Sequence, residues 1–244
     1  MEIVVVADFE EMSERAAADI ITLLNEKPDS LISLAAGSTP TGTLKRLVEA
    51  QSQGKVDFSQ AIFVGLDEWV GMDRTDEGST QHYLYDTFFR PAQIREDQIF
   101  FFDAKAADLE QECQKIDRLI EKYGGLDLVL LGIGVNGHLG LNEPGVSLEL
   151  TSHVMDLSET TKQVGQKYFA QETKLVHGIT LGCQHFVEAD KVILIANGEA
   201  KANAVAGMVQ GEITSDLPAS VLQKHMNAIA YLDKAAAALL KTDQ

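Results

Sequence analysis

The sequence predicts an α/β fold, a mainly parallel sheet flanked by helices on both faces. Seven apolar runs, at 3–6, 31–35, 62–66, 126–131, 177–181, 192–196 and 228–232, have the length of strands. They show little polar alternation, the pattern of strands covered on both sides. Longer stretches of helical period lie between most of them, and that alternation is the signature of parallel βα units.

The first run is IVVV at 3–6. It leads into a helix at 10–26, where Met12, Ala16, Ile20, Leu23 and Leu24 share one face. The run at 31–35 passes through a loop of small residues into a helix at 41–50, with Thr39 as the expected N-cap and Pro40 at the first helical position. A helix at 106–123 carries the stripe Leu109, Cys113, Ile116, Leu119 and Ile120, which makes Cys113 a core residue. Further helices are expected at 159–169 and 199–209, while 71–79 and 211–218 are irregular. No linker, low-complexity tract or internal repeat interrupts the chain, so 1–244 reads as a single domain. At 244 residues and 45% hydrophobic, it can bury a large core.

Twenty Lys and Arg stand against 37 Asp and Glu, for a formal charge of −17. That balance repels nucleic acid and anionic membrane surfaces, and neither is expected as a partner. An anionic substrate would have to be held by local donors, which directs the search to helix N-termini and isolated lysines. Cys113 and Cys183 are seventy positions apart and form no zinc or redox pair. The opening MEIVVVADF lacks the features of a signal peptide, and no stretch approaches a membrane span, so a cytoplasmic protein is expected.

In an open parallel sheet, ligands bind beyond the carboxyl ends of the strands. Four segments lie there. GSTPTGT at 37–43 is either an ordinary capped turn or a loop whose free N–H groups and hydroxyls cradle a phosphate; it lacks the Gly-Lys-Ser/Thr of a P-loop. LDEWVG at 66–71 places Asp67 and Glu68 at the end of a strand. Adjacent carboxylates there can hold a metal, act in acid–base catalysis or merely cap a loop, and the following Trp69 can limit solvent access.

GIGVNGHLGLNEPG at 132–145 begins with a formal G-x-G-x-x-G. Gly140, Pro144 and Gly145 leave no room for the helix that a dinucleotide needs beneath its pyrophosphate, so that reading is rejected. Five glycines with Asn136, His138, Asn142 and Glu143 describe backbone folded closely around something small. His138 with Glu143 five residues on is either a structural pair or a proton-transfer pair. Finally, Lys201 in GEAK stands in a first helical turn, where it opposes the helix dipole; it is either a plain surface residue or the holder of an anion.

These segments in this order resemble the glucosamine-6-phosphate and galactosamine-6-phosphate deaminase/isomerase family, and the likeness covers nearly the whole chain. The resemblance implies a modified Rossmann-like fold, a sugar-phosphate substrate, and no metal, nicotinamide or other cofactor. It places the phosphate site on Gly37, Ser38, Thr39 and Lys201, with Lys167 as the nearest match to a second phosphate-binding cation, which in the family is often arginine. It places the base on Asp67, and ring opening on His138 with Glu143 in support.

Two departures stand out. Asn136 replaces an aspartate that some members carry before Gly-His, so support for the histidine is expected mainly from Glu143. The stretch where hexameric members carry an allosteric Arg, Lys, Thr cluster reads His153, Met155, Asp156, so that site is expected to be absent and the protein a monomer or small homo-oligomer.

The chemistry implied is aldose–ketose isomerisation with deamination of a hexosamine 6-phosphate. LDEWV and GHLGLNEPG lean toward the galactosamine-6-phosphate branch, with glucosamine 6-phosphate next. Two alternatives are a 6-phosphogluconolactonase, which shares the phosphate loop and a Gly-His element, and a non-catalytic sugar-phosphate-binding protein. The longer matches favour the deaminase over the lactonase, and intact Asp67, His138 and Glu143 favour it over the binding protein.

Overall fold

The computed structural model describes residues 1–241; the last three positions of the domain expected over 1–244 lie outside the described residues. Seven strands form one parallel sheet: β1 (Glu2–Val6), β2 (Leu31–Leu34), β3 (Ile62–Gly65), β5 (Ile99–Phe100), β6 (Leu128–Gly132), β9 (Lys191–Ala196) and β10 (Ala228–Asp233). Their spatial order is β1-β10-β9-β6-β2-β3-β5, and every neighbouring pair is parallel.

Alternate residues of these strands face two cores. Val64, Val129, Leu131, Val192 and Leu194 pack against Cys113, Ile116 and Ile120 of α4 (Leu109–Tyr123) and Val205 and Met208 of α7 (Ala202–Gln210). Phe63, Leu128, Leu130, Ile193 and Ile195 face the other way, onto Met12, Ile20 and Leu24 of α1 (Phe9–Glu26) and Leu44 and Leu47 of α2 (Thr41–Ser52). Both faces are therefore apolar, which is why the strand runs lack polar alternation. Asp8 and Asp108 start α1 and α4 by accepting from backbone N–H groups three residues on, and Gly124 ends α4 in the left-handed conformation at φ 85°.

Three expectations are corrected. The run at 177–181 is not part of the parallel sheet. As β8 (His177–Thr180), it is the centre of a small antiparallel sheet between β4 (Asp67–Trp69) and β7 (His153–Asp156). Neither flanking strand was expected, because both are short and carry polar residues. Second, Thr39 does not cap α2. Pro40 occupies that position in helical conformation, and the Thr39 hydroxyl instead donates to Asn197 Oδ1 at 2.9 Å, tying the loop after β2 to the loop after β9. Third, the helix expected at 159–169 is α5 (Glu159–Gly165) followed by a 3-10 turn, and that expected at 199–209 begins as a 3-10 turn at Glu199–Lys201 before α7. Among the described residues, no helix is long and apolar enough to cross a membrane.

Candidate active site

Strands β2 and β6 are neighbours in the sheet, yet the chain runs outward from β2 through β3 and from β6 through β9 in opposite directions. The loops leaving their carboxyl ends separate and leave a crevice. A cavity of about 360 Å³ occupies it. Gly37, Ser38, Thr39, Asp67, His138, Lys167 and Lys201 all line it, so residues spread over the whole chain meet in one place.

Asp67 opens β4 and pairs with Thr180 of β8. Its carboxylate accepts no hydrogen bond from the described residues, and burial together with the neighbouring Glu68 charge pushes its pKa up to about 7. Glu68 points away from the cavity and is fully buried. It accepts from Trp69 N (2.9 Å), Ser79 Oγ (2.7 Å), Thr80 N (3.1 Å) and Gln81 N (3.0 Å), capping α3 (Thr80–Leu84). The small antiparallel sheet locks this arrangement to the glycine-rich loop, since Thr180 Oγ1 accepts from Leu141 N at 3.1 Å. A Cβ at Gly140 would lie 2.8 Å from that hydroxyl, in a backbone already at φ +56°.

In the glycine-rich loop, the His138 ring lies against Gly134, where a Cβ would come within 2.6 Å of it. Its Nδ1 meets the Thr161 hydroxyl at 3.1 Å. Glu143 Oε2 is 3.7 Å from Nδ1 and accepts from Asn136 Nδ2 at 2.8 Å. Burial would raise Glu143, but His138, Thr161 and Asn136 outweigh it and hold its pKa down at about 2. Asn136 and Glu143 do not line the cavity; they stand behind the histidine. Glu143 thus stands at ion-pair distance from His138, but at 3.7 Å no direct hydrogen bond joins them, and the contact at hydrogen-bond distance from Nδ1 is the Thr161 hydroxyl, which was not expected.

At the other end of the cavity, Gly37 adopts φ +110°, and a Cβ there would come within 2.9 Å of the Tyr168 hydroxyl. Tyr83 and Thr41 both donate to Gly37 O, at 2.7 and 3.1 Å, fixing a turn that exposes N–H groups. Lys201 Nζ donates to Ile133 O at 2.6 Å; burial, with Lys167 nearby, pushes its pKa down to about 8. The half-buried Lys201 ammonium and the exposed Lys167 ammonium, beside a turn of free N–H groups, have the chemistry to receive a compact anion. Gly198 N donates to both oxygens of Asp233, at 3.1 and 3.0 Å, which anchors the turn carrying Lys201.

The family model for glucosamine-6-phosphate isomerases and 6-phosphogluconolactonase matches residues 7–231. The chain belongs to this family. It is 37% identical over 241 residues to a glucosamine-6-phosphate deaminase of Thermoanaerobacter sp. (strain X514), covering 98% of this chain and 95% of the relative. It is 38% identical over 241 residues to one from Clostridium botulinum (strain Hall), covering 98% and 99%. The structure of a monomeric glucosamine-6-phosphate deaminase superposes with a TM-score of 0.95 at 34% identity, covering 98% of this chain and all of that one. A 6-phosphogluconolactonase from Trypanosoma brucei, at 22% identity and a TM-score of 0.80, shares the fold.

The family resemblance read from the motifs is thus borne out, as is the Rossmann-like fold it implied. What the motifs did not disclose are the side chains that complete this cavity from outside them. Thr161, Tyr83 and Tyr168 each line the cavity without belonging to a glycine-rich segment. One signal was available for Thr161. Ser158 followed by Thr161 is the spacing of an N-cap and the third helical residue, and such a pair turns both hydroxyls toward a helix start.

Proposed function

We propose that this chain converts glucosamine 6-phosphate to fructose 6-phosphate and ammonia. The carrying observation is the Asp67 carboxylate, free of protein donors and poised near neutrality, in one cavity with His138 and the cationic turn. A base with a pKa near the working pH is best suited to move a proton to and from carbon.

The phosphate sits between the Gly37–Thr39 turn and Lys201, with Lys167 across from it. That remote binding holds the sugar against the chemistry at its other end. His138 Nε2 takes the proton of the anomeric hydroxyl and delivers it to the ring oxygen as the C1–O bond of the ring breaks. The freed aldehyde acidifies carbon 2. Asp67 removes that proton while O1 takes one from the substrate's ammonium group, forming an enolamine; Asp67 then returns its proton to carbon 1, leaving a protonated 2-imino ketose phosphate. Water adds to the imine carbon and ammonia leaves. Every proton taken is given back, and the substrate's own carbonyl is the electron sink.

The named full-length relatives are glucosamine-6-phosphate deaminases, which supports glucosamine 6-phosphate over the galactosamine 6-phosphate toward which the short motifs lean. Likeness to a monomeric deaminase supports a monomer. The test is product analysis with glucosamine 6-phosphate, galactosamine 6-phosphate and 6-phosphogluconolactone side by side. Ammonia and fructose 6-phosphate from the first, at the highest kcat/KM, is the expected result. Faster deamination of the galactose epimer would overturn the substrate, and hydrolysis of the lactone alone would overturn the activity.

A further inference from the structure

His138 and Glu143 are 3.7 Å apart at their closest nitrogen and oxygen, too far to share a proton directly. Thr161 is 4% exposed, and its hydroxyl lies 3.1 Å from His138 Nδ1. A hydroxyl has one proton and two lone pairs, so the neighbouring bonds decide which way it points. Ser158 Oγ accepts from Thr161 N at 3.1 Å and from Asn136 Nδ2 at 3.2 Å. With both lone pairs used, the Ser158 proton goes to Thr161 Oγ1, at 3.2 Å. Thr161 is left with one lone pair and one proton. Two groups remain for them: His138 Nδ1, 3.1 Å away, and the ionised Glu143 carboxylate, which can only accept, lies 3.7 Å from the same Nδ1 and has a buried Oε1 without any hydrogen-bond partner among the described residues. The Thr161 proton therefore goes to Glu143, and the lone pair receives the proton on Nδ1.

We propose that Thr161 is a positioning residue for ring opening: its hydroxyl bridges the gap between His138 and Glu143 and holds the imidazole with its proton on Nδ1. On this proposal the chain runs from Nδ1–H to Thr161 Oγ1–H to the Glu143 carboxylate. It leaves Nε2, which has no hydrogen-bond partner among the described residues, with a free lone pair to accept the anomeric proton. When Nε2 takes that proton, the imidazolium keeps both of its N–H groups bonded, and the Glu143 charge is felt through the hydroxyl. No net proton leaves the chain. Asn136 belongs to the same device, since its amide orients both Glu143 and Ser158. An amide suffices there, because the charge is already supplied by Glu143.

This inference rests on the proposed ring-opening role of His138, and its test is chosen to stand apart from the activity. Nitrogen-15 NMR of the imidazoles in the wild-type protein at neutral pH reads the tautomer, with His138 assigned by its loss in His138→Gln. The expected signal is the Nδ1-protonated form. Thr161→Val, which keeps the shape and removes the hydroxyl, is expected to shift His138 toward the Nε2-protonated form. In assays with glucosamine 6-phosphate it is expected to lower kcat about 10- to 100-fold with KM little changed. Thr161→Ser is expected to restore most of both readouts.

A wild-type His138 protonated on Nε2 overturns the proposal, whether or not Thr161→Val folds. So does a Thr161→Val protein with unchanged tautomer and kcat. If the wild type releases no ammonia from either sugar, the proposed function fails, while the tautomer still decides the role of Thr161.

Discussion

Asp67 and Glu68 are adjacent in the chain and opposite in circumstance. Glu68 is sealed in the protein under four hydrogen-bond donors, whereas the Asp67 carboxylate accepts none from the described residues and faces the cavity. Strand alternation does this, since neighbouring residues of β4 point to opposite faces. One carboxylate builds the wall and the other is left available for chemistry.

The availability of Asp67 sets the acid limb of the pH profile. A base works in its deprotonated form, and this carboxylate is raised to about 7. In the free enzyme, kcat/KM is expected to rise with pH through about 7 and to fall again above about 8 as Lys201 loses its charge. A limb near 4, the range of an ordinary aspartate, would remove Asp67 from that role.

Glu68 is expected to matter for stability. Glu68→Ala leaves four donors around a buried void, a loss of about 3 kcal/mol, or roughly 6–12 °C in Tm for a chain of this size. Glu68→Gln keeps one accepting oxygen and is expected to cost about half as much. Thermal unfolding of the two variants measures this. Equal Tm values for Glu68→Ala and wild type would contradict the capping role.

Lys201 is expected to act on binding. Lys201→Ala removes the proposed charge-assisted contact to the phosphate and should raise KM about 10- to 100-fold. Because burial and Lys167 hold the ammonium down at about 8, its cationic form is lost as pH rises through that value. Phosphate affinity is therefore expected to weaken above pH 8 in the wild type and to lose that dependence in the variant, as read by inhibition with inorganic phosphate.

Gly134 tests the placement of the histidine. Its φ is not in the left-handed region, so alanine is tolerated by the backbone, yet the added methyl would sit 2.6 Å from the His138 ring. Gly134→Ala is expected to fold with a Tm close to wild type and to lose about 100-fold in kcat as the imidazole is displaced. Unchanged kcat would mean that the ring is not held where the structure has it.

Six of the seven apolar runs became strands of the parallel sheet, because burial on both faces writes an unbroken apolar signal. The small antiparallel sheet wrote a weak one: β4 and β7 are three and four residues long and mix acids with apolar residues. The site was legible where a loop needs glycine, as at Gly37 and Gly140, whose backbones adopt positive φ against a neighbouring side chain. It was not legible where a single hydroxyl completes a network across the fold. Thr161 is one threonine in an unremarkable helix start, and only its distance of 3.1 Å from His138 distinguishes it. Lys201 looked like a misplaced surface charge until Ile133 O, Lys167 and the turn at Gly37 were brought around it.

The most direct test of Asp67 as the carbon-2 base is ammonia release from glucosamine 6-phosphate by wild-type and Asp67→Asn proteins, with substrate binding measured in parallel. The amide matches the carboxylate in shape and cannot accept the proton. The expected result is a loss of turnover of at least about 100-fold with binding nearly intact. Turnover close to wild type in Asp67→Asn would contradict the assignment.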